Sequence, residues 1–206
     1  MENIKGVIFD WDGVIVDSMA YIARGIQETA ASFGVSVSVE DVVRNYIQPK
    51  EAYYESIGVD ISDSQELRKR HLDFIQKNEK PTFLYPEVIG VLTFLHSKSL
   101  KLSVASSADR DFILKEIQRL GLTEFFNEEL IPGGEPPKPA KLDKIIELFN
   151  LPPGELLYVG DLPTDMVVGR NASMKVFAVG RDEFAYQRLA KTKPDFISKS
   201  LDGLKL

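Results

Sequence analysis

The sequence predicts an α/β fold with a doubly wound (Rossmann-like) parallel sheet core and an inserted α-helical cap domain. Short continuous apolar runs, typical of strands buried on both faces, alternate along the chain with apolar stripes of helical period. This alternation implies right-handed crossovers and a mainly parallel sheet that is covered by helices on both faces. One long stretch without a strand-like run predicts the insertion.

The predicted strands are short, contain β-branched residues and are bounded by Gly, Pro, Ser or Asp. They lie at residues 4–9, 102–105, 156–159 and 176–179. The helical stripes between them place apolar residues at i, i+3 or i+4, and i+7, which directs one face of each helix to a core. These stripes lie at residues 88–95, 113–120 and 142–149.

The inserted segment contains only helical patterns. Helices are predicted at residues 21–33, 39–46, 50–57 and 63–77. Glycines and prolines separate them, and such residues commonly end helices. The domain prediction is therefore an α/β catalytic core formed by residues 1–16 and 84–206, with a helical cap formed by residues 17–83.

The composition restricts the chemistry that the chain can perform. Its 206 residues include 31 acidic and 25 basic side chains, a formal net charge of −6, and no cysteine. A thiolate nucleophile is thereby excluded, and two distant histidines, His71 and His96, argue against zinc, so any metal is expected to be a hard ion bound by oxygen. Mild acidity without a basic run argues against a nucleic-acid or membrane partner. Without a leader-like or membrane-spanning run, we expect a cytoplasmic protein.

Two acids follow the first predicted strand, in the segment VIFDWDG. Asp10 and Asp12 stand at a carboxyl strand end, where open parallel sheets bind their ligands. Two carboxylates this close repel each other, and a divalent cation would relieve the repulsion. The alternative is that Asp10 simply ends the strand and that Asp12 and Gly13 form an ordinary turn.

A second pair of acids follows a later strand, in the segment LLYVGDLPTDM. Asp165 lies one helical turn after Asp161 and on the same face. Alone, the pair is explained by Asp161 as an N-cap and Asp165 as a first-turn acid. Adjacent parallel strands would instead bring Asp10, Asp12 and Asp161 around one point, a composition that suits Mg²⁺.

Two further segments offer groups that could bind a phosphate. Ser106 and Ser107 follow an apolar strand and precede a helix that is predicted to begin near Asp109, so the helix N-terminus can face an anion. Lys138 lies between prolines in the Gly/Pro-dense segment LIPGGEPPKPAK, residues 130–141, which is predicted to be a loop. The alternatives are simple N-capping by serine and a solvated loop lysine.

Together these four segments resemble the motifs of the haloacid dehalogenase (HAD) superfamily of phosphohydrolases. The four matches, in the order of the family, are Asp10-Trp11-Asp12-Gly13, Ser106, Lys138 in KPAK, and Gly160-Asp161 with Asp165. A helical insertion directly after the first motif is similar to the subgroup that includes phosphoglycolate phosphatase-like and β-phosphoglucomutase-like proteins.

The resemblance implies a role for each matched residue. Asp10 would be the nucleophile and Asp12 the general acid and base. Mg²⁺ would be bound by the Asp10 and Asp161 carboxylates and by the Asp12 backbone carbonyl, with Asp165 in the second shell or on the metal. The phosphoryl oxygens would be held by Ser106, Ser107 and Lys138.

The implied activity is Mg²⁺-dependent hydrolysis of a small phosphorylated metabolite through an aspartyl-phosphate intermediate. One alternative is a β-phosphoglucomutase-like sugar-phosphate mutase, which would shield the same intermediate from water. Another is a non-catalytic binding or regulatory relative. A dehalogenase does not need the metal constellation, so Asp12 and Asp161 argue against it. The sequence leaves the oligomeric state open.

The chain also departs from the family pattern at several positions. Glu87 and Ser173 stand where the family typically has glycine, and each would strain the backbone if its φ is positive. The cap segment 45–54, NYIQPKEAYY, lacks the usual glycine-containing loop, which leaves the substrate open. Candidate contacts to the non-phosphate part of the substrate, each with a solvated surface role as the alternative, are Arg24, Arg44, Lys50 and Arg110.

Overall fold

The computed structural model describes residues 3–78, 81–132 and 137–205. In this part of the chain, five strands form one sheet in the order β2-β1-β3-β4-β5, and every neighbouring pair is parallel. The strands are β1 (Gly6–Phe9), β2 (Lys101–Val104), β3 (Leu156–Gly160), β4 (Lys175–Val179) and β5 (Phe196–Ser198). The chain passes from β1 to β2 on one side of it and then from β2 to β3 on its other side, so the carboxyl ends of β1 and β3 meet at a topological switch point.

The described residues also form nine α-helices. They are α1 (Met19–Ser32), α2 (Val39–Asn45), α3 (Lys50–Ser56), α4 (Ser64–Lys77), α5 (Val88–Ser97), α6 (Arg110–Arg119), α7 (Lys138–Phe149), α8 (Pro163–Asn171) and α9 (Glu183–Ala190). Within the described ranges, no helix has the length and apolar character that crossing a membrane requires. The pattern of one parallel sheet with many helices confirms the predicted fold class.

The chain divides into two compact units. Residues 1–16 and 83–206 form the first unit, which contains the sheet and α5 to α9. Residues 17–82 form the second unit, which contains α1 to α4. The assignment of the second unit as a cap stays a prediction.

The first unit has a hydrophobic core on each face of its sheet. Val7 and Phe9 of β1 pack with Leu92 of α5 in one cluster. Ile8, between them, points to the other face and packs with Leu142 of α7. Alternate residues of β1 thus enter opposite cores, which explains why the strand is a continuous apolar run instead of an alternating one.

Ser173 and Glu87, the two residues that stand where the family typically has glycine, differ in backbone conformation. Ser173 has a φ of +59°, so this position requires the left-handed conformation, which costs a non-glycine residue about 1 kcal/mol. Glu87 has a φ of −82° at the N-terminus of α5 and needs no glycine. The Glu87 carboxylate instead forms an ion pair with Arg181 and accepts a hydrogen bond from the Leu201 backbone N–H.

The second unit contains a buried histidine on α4. His71 is 8% exposed, and its Nδ1 lies 3.1 Å from the Tyr54 hydroxyl. Burial, together with the nearby charge of Lys50, lowers the pKa of His71 to about 4. The folded protein therefore holds this imidazole neutral at pH values where an exposed histidine binds a proton.

We expect His71 to make the protein less stable in acid. Because the unfolded chain binds this proton near pH 6.5 and the folded protein only near pH 4, stability falls as the pH drops through that interval. The lowered pKa of His71 changes the free energy of unfolding by about 3 kcal/mol over the whole interval. Urea unfolding at pH 7 and at pH 4.5 measures it: His71→Gln should lose less stability than the unsubstituted protein by roughly 2–3 kcal/mol. The assignment would be contradicted if His71→Gln and the unsubstituted protein lost the same stability between the two pH values. It would also be contradicted if the variant of an exposed histidine, His96→Gln, lost less stability than the unsubstituted protein by a similar amount.

Candidate active site

Three acids meet at the carboxyl edge of the sheet. Asp10 directly follows β1, and Asp161 and Asp165 follow β3, the paired neighbour of β1. One carboxylate oxygen from each of the three lies within 4.8 Å of the others. The cluster therefore occupies the switch point, where ligands of such sheets bind.

Asp10 is fixed by contacts to each of its polar groups. Its backbone N–H donates to the carbonyl of Val159 at 2.8 Å, which ties it to β3. Its Oδ1 accepts from the backbone N–H of Trp11 at 2.8 Å, and its Oδ2 from the ammonium of Lys138 at 2.8 Å. The side chain of Asp10 is thus held in one orientation, and the residue is only 2% exposed.

The structure corrects the predicted environment of Lys138. Lys138 is the first residue of α7 instead of part of a loop, and it is only 7% exposed. Pro139 suits the first turn of a helix, where its missing N–H leaves no hydrogen bond unmade. The ammonium contacts Asp10 and also Asp165, at 2.9 Å, so the alternative of a solvated lysine is wrong. The predicted loop, residues 130–141, thus overlaps the start of α7, and its residues 133–136 lie outside the described residues.

Asp165 uses both carboxylate oxygens for contacts inside the site. Oδ2 accepts from the backbone N–H of Leu162 at 3.0 Å, at the N-terminus of α8. Oδ1 accepts from Lys138 and from the hydroxyl of Tyr158, at 3.2 Å. Leu162, and not Asp161, is the N-cap of α8, so the alternative role for Asp161 is wrong. Asp165 fixes Lys138 and the turn that carries Asp161.

Two glycines allow the acids to approach the backbone. Gly13 has a φ of +72°, and a Cβ there would lie 2.1 Å from Oδ2 of Asp161. A Cβ on Gly160 would lie 2.3 Å from the Cβ of Asp165. Any larger residue at either position would displace an acid of the cluster.

Burial and mutual repulsion make Asp10 and Asp161 hard to ionise. Burial raises the pKa of Asp10 to about 7, against the opposing effect of Lys138. Burial, with the neighbouring charges of Asp165 and Asp10, raises the pKa of Asp161 well above its ordinary value. Although burial opposes it, the charges of Asp10 and Asp165 raise the pKa of Lys138, which stays protonated. When the three acids are all ionised, Lys138 alone balances only part of their negative charge.

This donor set fits a hard divalent cation. Its atoms are carboxylate oxygens that lie close together, and when ionised the three acids would carry more negative charge than Lys138 balances. Such oxygens are the ligands that Mg²⁺ prefers. Both oxygens of Asp165 already accept hydrogen bonds, and so do both oxygens of Asp10, so these contacts alone do not separate the direct ligands among the acids.

The predicted phosphate loop follows β2, next to Asp10. The backbone N–H of Ala105 donates to the carbonyl of Phe9 at 2.9 Å, which places Ser106 beside the end of β1. Ser106 is buried, and its hydroxyl accepts from the backbone N–H of Ala108 at 3.0 Å. The loop leads into α6, whose N-cap is Asp109. The phosphate-binding roles of Ser106 and Ser107 stay predictions.

The structure places the predicted substrate contacts in different surroundings. Arg24, Arg44 and Lys50 belong to the second unit, where Arg44 forms an exposed ion pair with Glu40 at 2.7 Å. Arg110 belongs to the first unit and donates to the carbonyls of residues 128 and 131. Their contacts with a substrate stay predictions, as does the acid–base role of the half-buried Asp12.

Sequence reasoning missed Arg181, which lies just beyond β4. Its guanidinium donates to the carbonyl of Val14 at 2.7 Å and to that of Gly13 at 3.3 Å. The group also stacks 3.4 Å from the centre of the Tyr85 ring. Arg181 therefore supports the turn that follows Asp12, and its position at a carboxyl strand end is the sequence signal that could have indicated it.

The fold and the buried acid–lysine cluster define a class of α/β enzymes that hold an anionic reacting group at the carboxyl edge of a parallel sheet. The same fold occurs in a haloacid dehalogenase-like hydrolase from Streptococcus pneumoniae, with a TM-score of 0.83, 21% identity, and coverage of 100% of this chain and 98% of that chain. The family model for haloacid dehalogenase-like hydrolases matches residues 7–179. The chain therefore belongs to the haloacid dehalogenase-like hydrolase family.

Two relatives are similar along almost their whole length. A phosphoglycolate phosphatase from Aquifex aeolicus is 30% identical, over 98% of this chain and 96% of the relative. A phosphoglycolate phosphatase from Vibrio cholerae is 27% identical, over 99% of this chain and 96% of the relative. The predicted superfamily and the predicted hydrolase class are confirmed.

Proposed function

We propose that the protein is a Mg²⁺-dependent phosphatase that hydrolyses small phosphorylated metabolites through an aspartyl-phosphate intermediate. The observation that carries the proposal is the buried ion-pair network of Asp10, Lys138 and Asp165, with Asp161 beside it. The similarity to phosphoglycolate phosphatases supports a phosphorylated substrate and makes 2-phosphoglycolate the first one to test.

In the first step of the proposed reaction, a carboxylate oxygen of Asp10 attacks phosphorus. The bond between phosphorus and the ester oxygen breaks, and Asp12 donates a proton to the departing alkoxide. Lys138, which already contacts Asp10, offsets the repulsion between the attacking carboxylate and the phosphoryl group. Ser106 and Ser107 bind the phosphoryl oxygens.

In the second step, water attacks the phosphorus of the phosphorylated Asp10. Asp12, now a carboxylate, accepts a proton from this water, the acyl phosphate bond breaks, and inorganic phosphate leaves. Asp10 is thereby restored. Mg²⁺, bound by Asp10, Asp161 and the backbone carbonyl of Asp12, would supply further positive charge for the phosphoryl oxygens.

Metal removal tests this proposal. We expect phosphate release from para-nitrophenyl phosphate, and from a panel of small phosphate esters that includes 2-phosphoglycolate. A chelator should lower the rate by about 100-fold or more, because it removes a main source of charge neutralisation, and added Mg²⁺ should restore it.

Three outcomes would contradict the proposal. One is full activity in the presence of the chelator, and another is no release from any ester with Mg²⁺ present. The third is a phosphoenzyme that is stable to water but transfers its phosphoryl group to a hydroxyl of a sugar phosphate, which would indicate the mutase.

A further inference from the structure

A second buried lysine lies beneath the predicted phosphate loop. Lys141 follows Lys138 by three residues on α7, so the two side chains leave the same side of the helix. Lys141 is only 5% exposed. Its ammonium donates to the backbone carbonyl of Ser106 at 2.7 Å and to that of Ala108 at 2.9 Å.

These two hydrogen bonds fix the orientation of the loop backbone. In a planar trans peptide the N–H points opposite to the C=O. Because the carbonyl of Ser106 points to Lys141, the N–H of Ser107 points away from it. The carbonyl of Ala108 in turn fixes the N–H of Asp109, at the start of α6. Lys141 thus determines where two backbone donors of the loop are directed.

Lys141 is not itself placed to bind a substrate. The cavity beside it, lined by Ser106, Ala108, Arg110 and Lys141 among others, has a volume of about 10 Å³. This is room for about one water molecule and too little for a phosphate ester. Since Lys141 donates to two carbonyls of the loop, we expect it to act on a substrate through the loop.

We propose that Lys141 is a positioning residue that directs the N–H groups of the phosphate loop to the phosphoryl group. The inference rests on the proposed function. The two lysines of α7 then have different roles: Lys138 contacts the reacting carboxylate, and Lys141 orients the loop. We expect the loop to contact the phosphoryl group equally in the bound ester, in the transition state and in free phosphate, so that Lys141 affects binding more than the chemical step.

The test is steady-state kinetics of Lys141→Met with para-nitrophenyl phosphate and Mg²⁺, together with inhibition by inorganic phosphate. We expect KM for the ester and Ki for phosphate to rise together by about tenfold, because two charge-assisted hydrogen bonds are lost. We expect kcat to stay within about threefold, the signature of lost uniform binding. Lys144→Met is the matched control, since Lys144 is an exposed lysine of the same helix and pairs with Glu147 at 2.9 Å.

Two further variants keep the test decisive. The side chain of Lys141→Gln is shorter but retains an amide donor, so we expect KM and Ki to rise together by less than in Lys141→Met. This variant replaces Lys141→Met in the test if the methionine variant does not fold. Lys141→Arg retains charge and donors and should restore part of the affinity. Unchanged KM and Ki in Lys141→Met and Lys141→Gln, or a fall in kcat alone, would overturn the inference. A wild-type protein without metal-dependent phosphatase activity would instead overturn the proposed function.

Discussion

Asp10→Asn is expected to lower kcat for phosphate release by more than about 10³-fold, beyond the effect of losing one electrostatic contact. The carboxamide has nearly the shape of the carboxylate and retains an oxygen that can accept from the Trp11 N–H. It is, however, a poor nucleophile and cannot form the same acyl phosphate. Folding should be preserved while turnover is lost, because the substitution removes a reacting group and no buried volume.

The measurement is steady-state release of phosphate, with mass spectrometry of the quenched enzyme to detect phosphorylation at Asp10. Asp202→Asn is the matched control, since the Asp202 carboxylate is exposed and pairs with Lys205 at 2.8 Å. Wild-type activity in Asp10→Asn, or phosphorylation at another residue, would refute the role of Asp10 as the nucleophile.

Lys138→Met is expected to lower kcat by roughly 10²–10³-fold, the typical effect of losing one electrostatic donor at a reacting centre. The substitution removes the cation that lies 2.8 Å from Asp10 and 2.9 Å from Asp165. Without it, the attacking carboxylate and the phosphoryl group repel each other more strongly. Asp165 also loses the partner that it holds in place.

Single-turnover kinetics should assign this loss to the formation of the phosphoenzyme. Lys144→Met is again the control, because it removes a lysine from the exposed side of α7. A Lys138→Met variant that retains kcat within about tenfold, or one that changes only KM, would show that Lys138 does not neutralise charge during the reaction.

The meeting of acids that follow β1 and β3 could be predicted from the sequence because two local patterns sufficed, although the cluster contains Asp165 where the prediction had Asp12. Each pair of acids follows an apolar run, and parallel strands bring their carboxyl ends to one edge. The environment of Lys138 could not be predicted in the same way, since adjacent prolines fit a stiff loop as well as the first turn of a helix. Only the packing of α7 against the sheet shows that the ammonium is buried between Asp10 and Asp165.

Other features depend on contacts between residues far apart in the chain. Lys141 and Arg181 have ordinary neighbours in the sequence, and their partners lie on other elements. Tyr158 is a similar case: a hydroxyl inside a buried strand needs a partner, but the sequence does not identify Asp165 as that partner. The last strand, Phe196–Ser198, has only three residues, too few for a periodic pattern.

The division of the chain has a consequence for how such a protein can evolve. The hydrogen bonds described at the acid cluster and the phosphate loop all join residues of the first unit, and residues 17–82 take no part in them. We therefore expect that substitutions within residues 17–82 can accumulate while these hydrogen bonds around Asp10 are kept. If the second unit contacts the substrate as predicted, such changes would alter substrate choice and leave the proposed reaction intact.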